Sequence, residues 1–497
     1  MIAIMREAAR SGPSAASGRL VRALALMLGG LIAASGAAAE TEVAAAWTDD
    51  AAAFPLTVTP GKRYLEDAEG KPFLIHGDTA WSLIADLTRE DAKLYLDDRR
   101  ARGFNTILVS LLEHRFSTNA PANAYHEQPF HGQAFETIAG LTTLLSAEPL
   151  KGYGTTLAAS FADFTSPNEA YFAHADWVLR RAAEKGFLVL LTPSYVGYRG
   201  GPDGWYRAMV ANGPERLREY GNYLGRRYRD FPNILWVHAG DYDPPRKDLV
   251  NAIAEGIAAF DARALHTAHN APETVAVEYW QGESWFDVNN VYTYGQVHTA
   301  ALEQYARPDA MPFFLIESAY ENEHDATEQR LRMQAYQAVF SGASGQVFGN
   351  NPIWHFDGPG VFPAPVTWRE ALDSRGAQSM THLRNLLTTI PWWRLEPDTD
   401  HTLLTDGLGA EDARAVAAST ADGALAIVYI PGRREITVDL ARLAGPRVEA
   451  RWYDPADGRF SAVAGSPFSA NGPRRLSPET SNGGGFGDWV LVLEARA

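Results

Sequence analysis

Between residues 72 and 390 the chain alternates short apolar runs with longer amphipathic segments, and this alternation restricts the fold more than any other feature. The strand-like runs are Phe73–Ile75, Thr106–Leu112, Phe187–Leu191, Ile234–Val237, His266–Ala268, Val288–Tyr292, Phe313–Ile316 and Gln346–Phe348. Apolar strands that alternate with helices form a parallel sheet covered by those helices, and eight is the number that closes a (β/α)8 TIM barrel. The intervening segments carry helix punctuation. Thr88 and Asp91 make a capping-box-like start, Leu94, Leu96 and Phe104 are expected to face inward, and Gly103 stops the helix. Asn168–Lys185 before Gly186 and Pro214–Arg229 before Pro232 repeat the grammar. From about residue 400 the runs become short, β-rich and divided by Gly, Pro and Asn, as in ALAIVYIP and DWVLVLE. The expectation is an α/β barrel over 56–395 followed by an antiparallel β-sandwich over 396–497.

The first residues read as an export signal. Arg6, Arg10, Arg19 and Arg22 precede the apolar stretch Ala23 to Ala34, and Ala37-Ala38-Ala39 offers a cleavage site, so 1–39 is expected to be removed and 40–55 to be a linker. An uncleaved anchor is the alternative, against which Gly29 and Gly30 interrupt a short apolar region. Cleavage would change the net charge from −16 to −19, because four arginines and Glu7 leave together. Such acidity disfavours nucleic acid, and no later run approaches the ~20 apolar residues of a membrane span. The chain has no cysteine. An exported protein without disulfides relies on a large core, which suits a periplasmic or secreted enzyme.

Two strand ends carry acids. NILWVHAGD ends at Asp241 and PFFLIE ends at Glu317. Parallel barrels place their chemistry at the C-terminal ends of strands, and two carboxylates on different strands suit an acid/base and nucleophile pair for glycosidic bond cleavage. Gly240 would let the backbone turn Asp241 into the mouth. Purely structural roles remain open: Asp241 as a helix cap, Glu317 as the buried partner of an arginine.

Around the pair, Asp78 and Trp81 end the first strand in HGDTAW, Glu113 ends the second, and Tyr195, His269, Tyr292, Tyr294, Asn350 and Trp354 fall at strand ends or in the loops that follow. Carboxylates and amides bind hydroxyls and aromatic rings cover C–H faces, so together they suit a carbohydrate subsite. Singly, each could be core, cap or loop packing. The excursion 113–167, with Tyr125, His126, Phe130 and Phe161, is expected to wall an enclosed pocket. No HExxH, EF-hand or GxSxG pattern occurs, so neither a metal nor another cofactor is implied.

These segments resemble the apiosidase-like glycoside hydrolases of the family 140 type, a barrel followed by a small β domain named for collagen binding. The resemblance rests on PFLIHGDTAW, GFNTILVSLL, NILWVHAGDYD, FFLIESAYE, RMQAYQAVFSGASGQVFGNNPIWHF and LRNLLTTIPWWRLEPD, then on VYIPGRREITVDL, RWYDPADGRF and DWVLVLE. It implies Asp241 as acid/base, Glu317 as nucleophile, and apiose or a related furanose as the sugar; with the carboxylate pair and the enclosing excursion, the leading expectation is a retaining, exo-acting release of that sugar from plant polysaccharide side chains such as those of pectin. A catalytically inactive carbohydrate- or matrix-binding protein is the competing expectation. The C-terminal domain is expected to dock through Trp392 and Trp393.

Overall fold

The computed structural model describes residues 52–134, 161–309 and 311–497. The expected leader and most of the expected linker, and the centre of the 113–167 excursion, lie outside the described residues. Eight parallel strands form one sheet: β1 (Ile75–Thr79), β2 (Thr106–Ser110), β3 (Leu188–Thr192), β4 (Ile234–Ala239), β5 (Leu265–His269), β6 (Asn289–Tyr292), β7 (Phe313–Glu317) and β8 (Gly345–Phe348). Their order, 5-4-3-2-1-8-7-6, wraps the sheet into a nearly closed barrel. Side chains help close the β5–β6 seam: Asn290 Nδ2 donates to Thr267 Oγ1 at 2.9 Å and to the Ala268 carbonyl at 2.7 Å.

Alternate strand residues divide between two cores. Leu108, Leu190, Leu235, Val237, Phe314, Ile316 and Val347 fill the barrel, while Ile107, Val109, Val189, Leu191 and Trp236 meet the helices. This two-sided burial is why the strands read as continuous apolar runs. A three-stranded antiparallel sheet at the N-terminal end (Thr57–Val58, Leu65–Glu66, Pro72–Phe73) adds Leu65 and Phe73 to the barrel interior.

The first helix of the outer layer, α1 (Arg89–Ala101), starts at Thr88, whose hydroxyl accepts from the Asp91 N–H. Leu94, expected to face inward, is 44% exposed, whereas Leu96 and Phe104 are buried as expected and Tyr95 joins them. Further round lie α2 (Glu169–Glu184), capped by Asn168, and α3 (Tyr206–Tyr228). The expected start at Pro214 is a break inside α3, where Gly213 has φ 74° and Pro214 begins the second helical piece. The layer continues with α4 (Lys247–Ala258), α5 (Val297–Tyr305), α6 (Glu328–Phe340) and α7 (Arg375–Thr388).

The C-terminal region is built from antiparallel sheets. Its main sheet contains β9 (Val416–Thr420), β10 (Leu425–Ile430), β11 (Arg447–Tyr453) and β12 (Trp489–Arg496), and a smaller sheet pairs Leu404–Asp406, Ile436–Asp439 and Pro473–Leu476. Along β10, Ala426, Val428 and Ile430 face the smaller sheet, whereas Ile427 and Tyr429 join the core of the barrel helices. The docking contact is therefore continuous with the main core. Tyr336 of α6 stacks on Tyr429 at 4.9 Å, and Tyr453 donates its hydroxyl to the His382 carbonyl at 2.7 Å. Of the tryptophans expected to dock this domain, Trp392 packs edge-on against Tyr64 and Trp393 is 39% exposed. Trp392 also belongs to the buried core that Val416, Ile427, Tyr429 and Val490 of the C-terminal sheets join, and α6 and α7 supply further docking contacts.

Candidate active site

The peptide leaving β4 turns through three consecutive positive φ values, Ala239 at 65°, Gly240 at 134° and Asp241 at 51°. Non-glycine residues avoid this region, and such strain persists only where the surroundings over-determine it. Here they do. The Gly240 N–H donates to the His269 carbonyl at 2.7 Å, and the Asp241 N–H donates to His269 Nδ1 at 3.1 Å. A Cβ on Gly240 would lie 2.3 Å from Tyr195 Cδ2, so the glycine makes room for the ring whose hydroxyl donates to Asp241 Oδ2 at 2.6 Å. Gly240→Ala is expected to move Tyr195 and to cost about 1–3 kcal/mol of stability, on the scale of a strained backbone residue. A melting curve and an activity assay on the variant check it: unchanged Tm and rate would mean that the turn tolerates a side chain.

Facing Asp241 across the barrel mouth, Glu317 ends β7 and is 6% exposed. Its Oε2 accepts from His269 Nε2 at 2.8 Å and its Oε1 accepts from the Tyr294 hydroxyl at 3.1 Å. Because Nδ1 of His269 accepts a backbone N–H, the ring proton sits on Nε2 and points at Glu317. Burial and the Asp241 charge raise the Glu317 pKa, and the His269 and Tyr294 bonds pull against that rise without cancelling it. Burial and the neighbouring carboxylates hold the Tyr195 and Tyr294 hydroxyls well above the ordinary tyrosine range, so both remain donors. Asp241 Oδ1 is itself buried and has no hydrogen-bond partner among the described residues, which leaves one lone-pair site on this acid open to a proton.

One ligand atom each from Asp241, His269 and Glu317 lies within 4.8 Å of the other two. The same closeness would let these three atoms hold a metal ion. In the geometry present, however, both His269 nitrogens are engaged in hydrogen bonds that orient the two acids.

Aromatic rings surround this centre. Trp81 meets His269 edge-on at 5.5 Å and Tyr195 at 5.9 Å, Tyr292 lies 4.7 Å from His269, and Trp354 stands among the same barrel-interior residues. Of the residues singled out in the sequence, Trp81, Tyr195, His269, Tyr292, Tyr294 and Trp354 thus gather round the acid pair. Three others are engaged elsewhere. Asp78 is fully buried, accepts from Tyr95 at 2.7 Å and lies 3.5 Å from Arg99, both on α1. Glu113 accepts from Ser82 and from the N–H groups of His114, Arg115 and Phe116, which ties down the loop after β2. Asn350 donates to Glu321, whose carboxylate also accepts from Ser374 and the Gly376 N–H at the start of α7.

The described flanks of the excursion behave similarly. Phe130 packs against Phe164, Trp205 and Tyr220, and Tyr125 accepts from the Arg89 N–H. Its contribution to the mouth is Phe116, which touches Tyr195 and Trp354 at 6.0 and 5.2 Å. Sequence reading passed over Phe116 and also Glu273, which accepts from Thr293 and from the N–H groups of Tyr294 and Gly295 and so fixes the loop presenting Tyr294. Both sit in loops, where no periodic pattern marks them.

A barrel with a recessed acid pair at the ends of its fourth and seventh strands, ringed by aromatic residues, has the architecture of a glycoside hydrolase. The chain belongs to the apiosidase-like family and is a glycosidase: residues 59–394 match the family described as "Apiosidase-like, catalytic domain", and residues 397–494 match that described as "Putative collagen-binding domain of a collagenase". The fold is shared with solved structures. A protein titled "Glycoside hydrolase" is 24% identical with a TM-score of 0.69, covering 88% of this chain and 96% of its own. A glycoside hydrolase family 5 protein from Bacteroides vulgatus is 23% identical with a TM-score of 0.70, covering 88% and 92%. No curated protein matches the chain.

Proposed function

We propose that this protein is a retaining, exo-acting glycosidase that removes a terminal sugar, apiose or a related furanose, from plant polysaccharide side chains such as those of pectin. The observation that carries the mechanism is the closeness of the two acids, with an Asp241 and a Glu317 oxygen within 4.8 Å. Retaining enzymes hold their carboxyls roughly 5–5.5 Å apart, whereas inverting ones leave roughly 6.5–9.5 Å for a water. Asp241 protonates the leaving oxygen while Glu317 attacks the anomeric carbon. Asp241 then takes a proton from the water that releases the sugar. Tyr294 and His269 keep the Glu317 carboxylate oriented, and Tyr195 does the same for Asp241. The recessed position of Glu317 supports action on a chain end. The charged, apolar, Ala-rich leader supports export to the periplasm or beyond.

The deciding experiment incubates the protein with pectic side-chain oligosaccharides and follows products by chromatography and by NMR of the first anomer released. A single small sugar of retained configuration fits the proposal; early mixtures of longer fragments defeat exo action, an inverted anomer defeats the double displacement, and binding without any product points to the inactive carbohydrate-binding alternative.

The pH dependence tests the role of His269. The nucleophile must be ionised, so activity falls as pH drops through the Glu317 pKa. His269 lowers that pKa. His269→Ala should therefore move the acidic limb of kcat/KM to higher pH and lower the maximum. A limb left in place, or moved to lower pH, would detach His269 from Glu317.

A further inference from the structure

The loop leaving β7 carries another carboxylate that the proposed reaction does not use. Other acids round the mouth are saturated by donors, as Glu113, Glu273 and Glu321 are, or belong to the central pair. Glu323 is different. It is half-buried, its Oε1 accepts from Trp354 Nε1 at 2.9 Å, and no hydrogen bond to Oε2 and no ion pair to Glu323 occur among the described residues. The charge of Glu317 acts on it.

Its bond to Trp354 places Glu323 beside the recess. Trp354 shares the barrel-interior core with Trp81, Tyr292 and Tyr320. The Trp354 ring meets Phe116 edge-on, and Phe116 meets Tyr195, which holds Asp241. The residue after Glu323, His324, rests at 4.7 Å on Phe362, a ring exposed on the loop beyond β8. A carboxylate oxygen only accepts hydrogen bonds, and sugar hydroxyls donate them. Burial, with Glu317 nearby, pushes the Glu323 pKa up to about 7, which is the cost of keeping an acid here without a cation.

Resting on the glycosidase reading above, we infer that Glu323 is a specificity-determining residue: with Trp354 it forms one edge of the sugar-binding recess, its Oε2 accepting from hydroxyls of a neutral sugar while the Trp354 ring covers a C–H face. A hydrogen bond to a carboxylate is among the stronger kinds, so this edge selects sugars that present hydroxyls to it. In its ionised form Glu323 adds to the charge of Glu317, and the two repel a uronate at the same place.

Wild-type protein, Glu323→Gln and Trp354→Phe are to be compared in two assays. One measures initial rates on a pectic side-chain oligosaccharide; the other measures equilibrium binding of free D-apiose and of D-galacturonate. Glu323→Gln should raise KM and the apiose Kd about tenfold, the scale of a hydrogen bond to a charged group, and leave kcat within about threefold. Galacturonate should bind the variant at least as well as the wild type. An unchanged apiose Kd in a variant of normal Tm overturns the inference, as does a fall in kcat at constant KM. Should Glu323→Gln fail to fold, Trp354→Phe keeps a ring and removes the N–H that orients the carboxylate. Its apiose Kd should rise about threefold, and an unchanged value there also overturns the inference. Wild-type protein that binds apiose but releases no sugar sinks the proposed function alone, whereas wild-type protein that binds no neutral sugar sinks both.

Discussion

Glu317→Gln is expected to lower kcat/KM by about 10⁴-fold, the scale on which one member of a covalent catalytic unit fails, while leaving the protein as stable as before or more so. The two halves of this expectation have one cause. Glu317 is 6% exposed, and burial with the Asp241 charge raises its pKa in the folded state. An acid whose folded pKa lies above its unfolded value favours folding when protonated, and that contribution is lost as pH rises through the folded pKa. At neutral pH the ionised side chain therefore works against the fold. Glutamine removes the charge, keeps its one oxygen for His269 Nε2, turns its NH2 to the Tyr294 hydroxyl, which can accept, and cannot attack carbon. Activity and stability move in opposite directions, as they do where a site is strained for function. Rates and thermal melts of the two proteins at pH 7 and pH 4 check this. The stability difference should shrink at the lower pH, where Glu317 takes up its proton; a variant less stable at pH 7 and unchanged in rate would mark Glu317 as a structural acid.

The barrel was legible because its strands are buried on both faces, which leaves continuous apolar runs in the sequence. The first strand shows where this signal ends. It was expected at Phe73–Ile75 and runs over Ile75–Thr79, because His76, Asp78 and Thr79 are polar and nonetheless buried. Asp78 is tolerated there through Tyr95 and Arg99, which the sequence does not place beside it. The same gap separates the expected sugar contacts from the observed mouth. Asp241 and Glu317 stood out because each ends an apolar run, and strand ends converge in a barrel. Glu113 has the same local signature, yet three backbone N–H groups of its own loop and Ser82 take its carboxylate. Glu273 and Phe116 do lie at the mouth, but their loops follow no period, and only the folded barrel brings them there. The docking surface was legible only in part, for a related reason. Trp392 is conspicuous in sequence and does join the shared core, whereas Trp393 is exposed and further contacts come from α6, among ordinary helical neighbours.

The pair that joins those domains should show the largest stability effect of any surface-remote substitution. Arg332 of α6 and Asp488, just before β12, are both fully buried, and their bond is bidentate: Nε to Oδ2 at 2.7 Å and Nη2 to Oδ1 at 2.9 Å. Asn482 and Tyr429 also donate to Asp488, and Ser379 accepts from Arg332 Nη1 at 3.2 Å. Such saturation is what permits two charges in a core, and removing one partner leaves the other uncompensated, at about 3–5 kcal/mol. Asp488→Ala and Arg332→Ala are each expected to cost that much. The double variant should cost clearly less than the two added together, because neither charge then remains buried alone. Denaturant unfolding of the four proteins measures the coupling. Strictly additive losses would mean that the two residues stabilise their own domains separately. A large positive coupling would instead make the C-terminal sheets a structural extension of the barrel, since α6 lies between them and β7 and β8, the strands that lead to Glu317, Glu323 and Trp354. Weakening the interface should then lower the melting temperature of the whole chain in one transition, with substrate preference unchanged in the protein that remains folded.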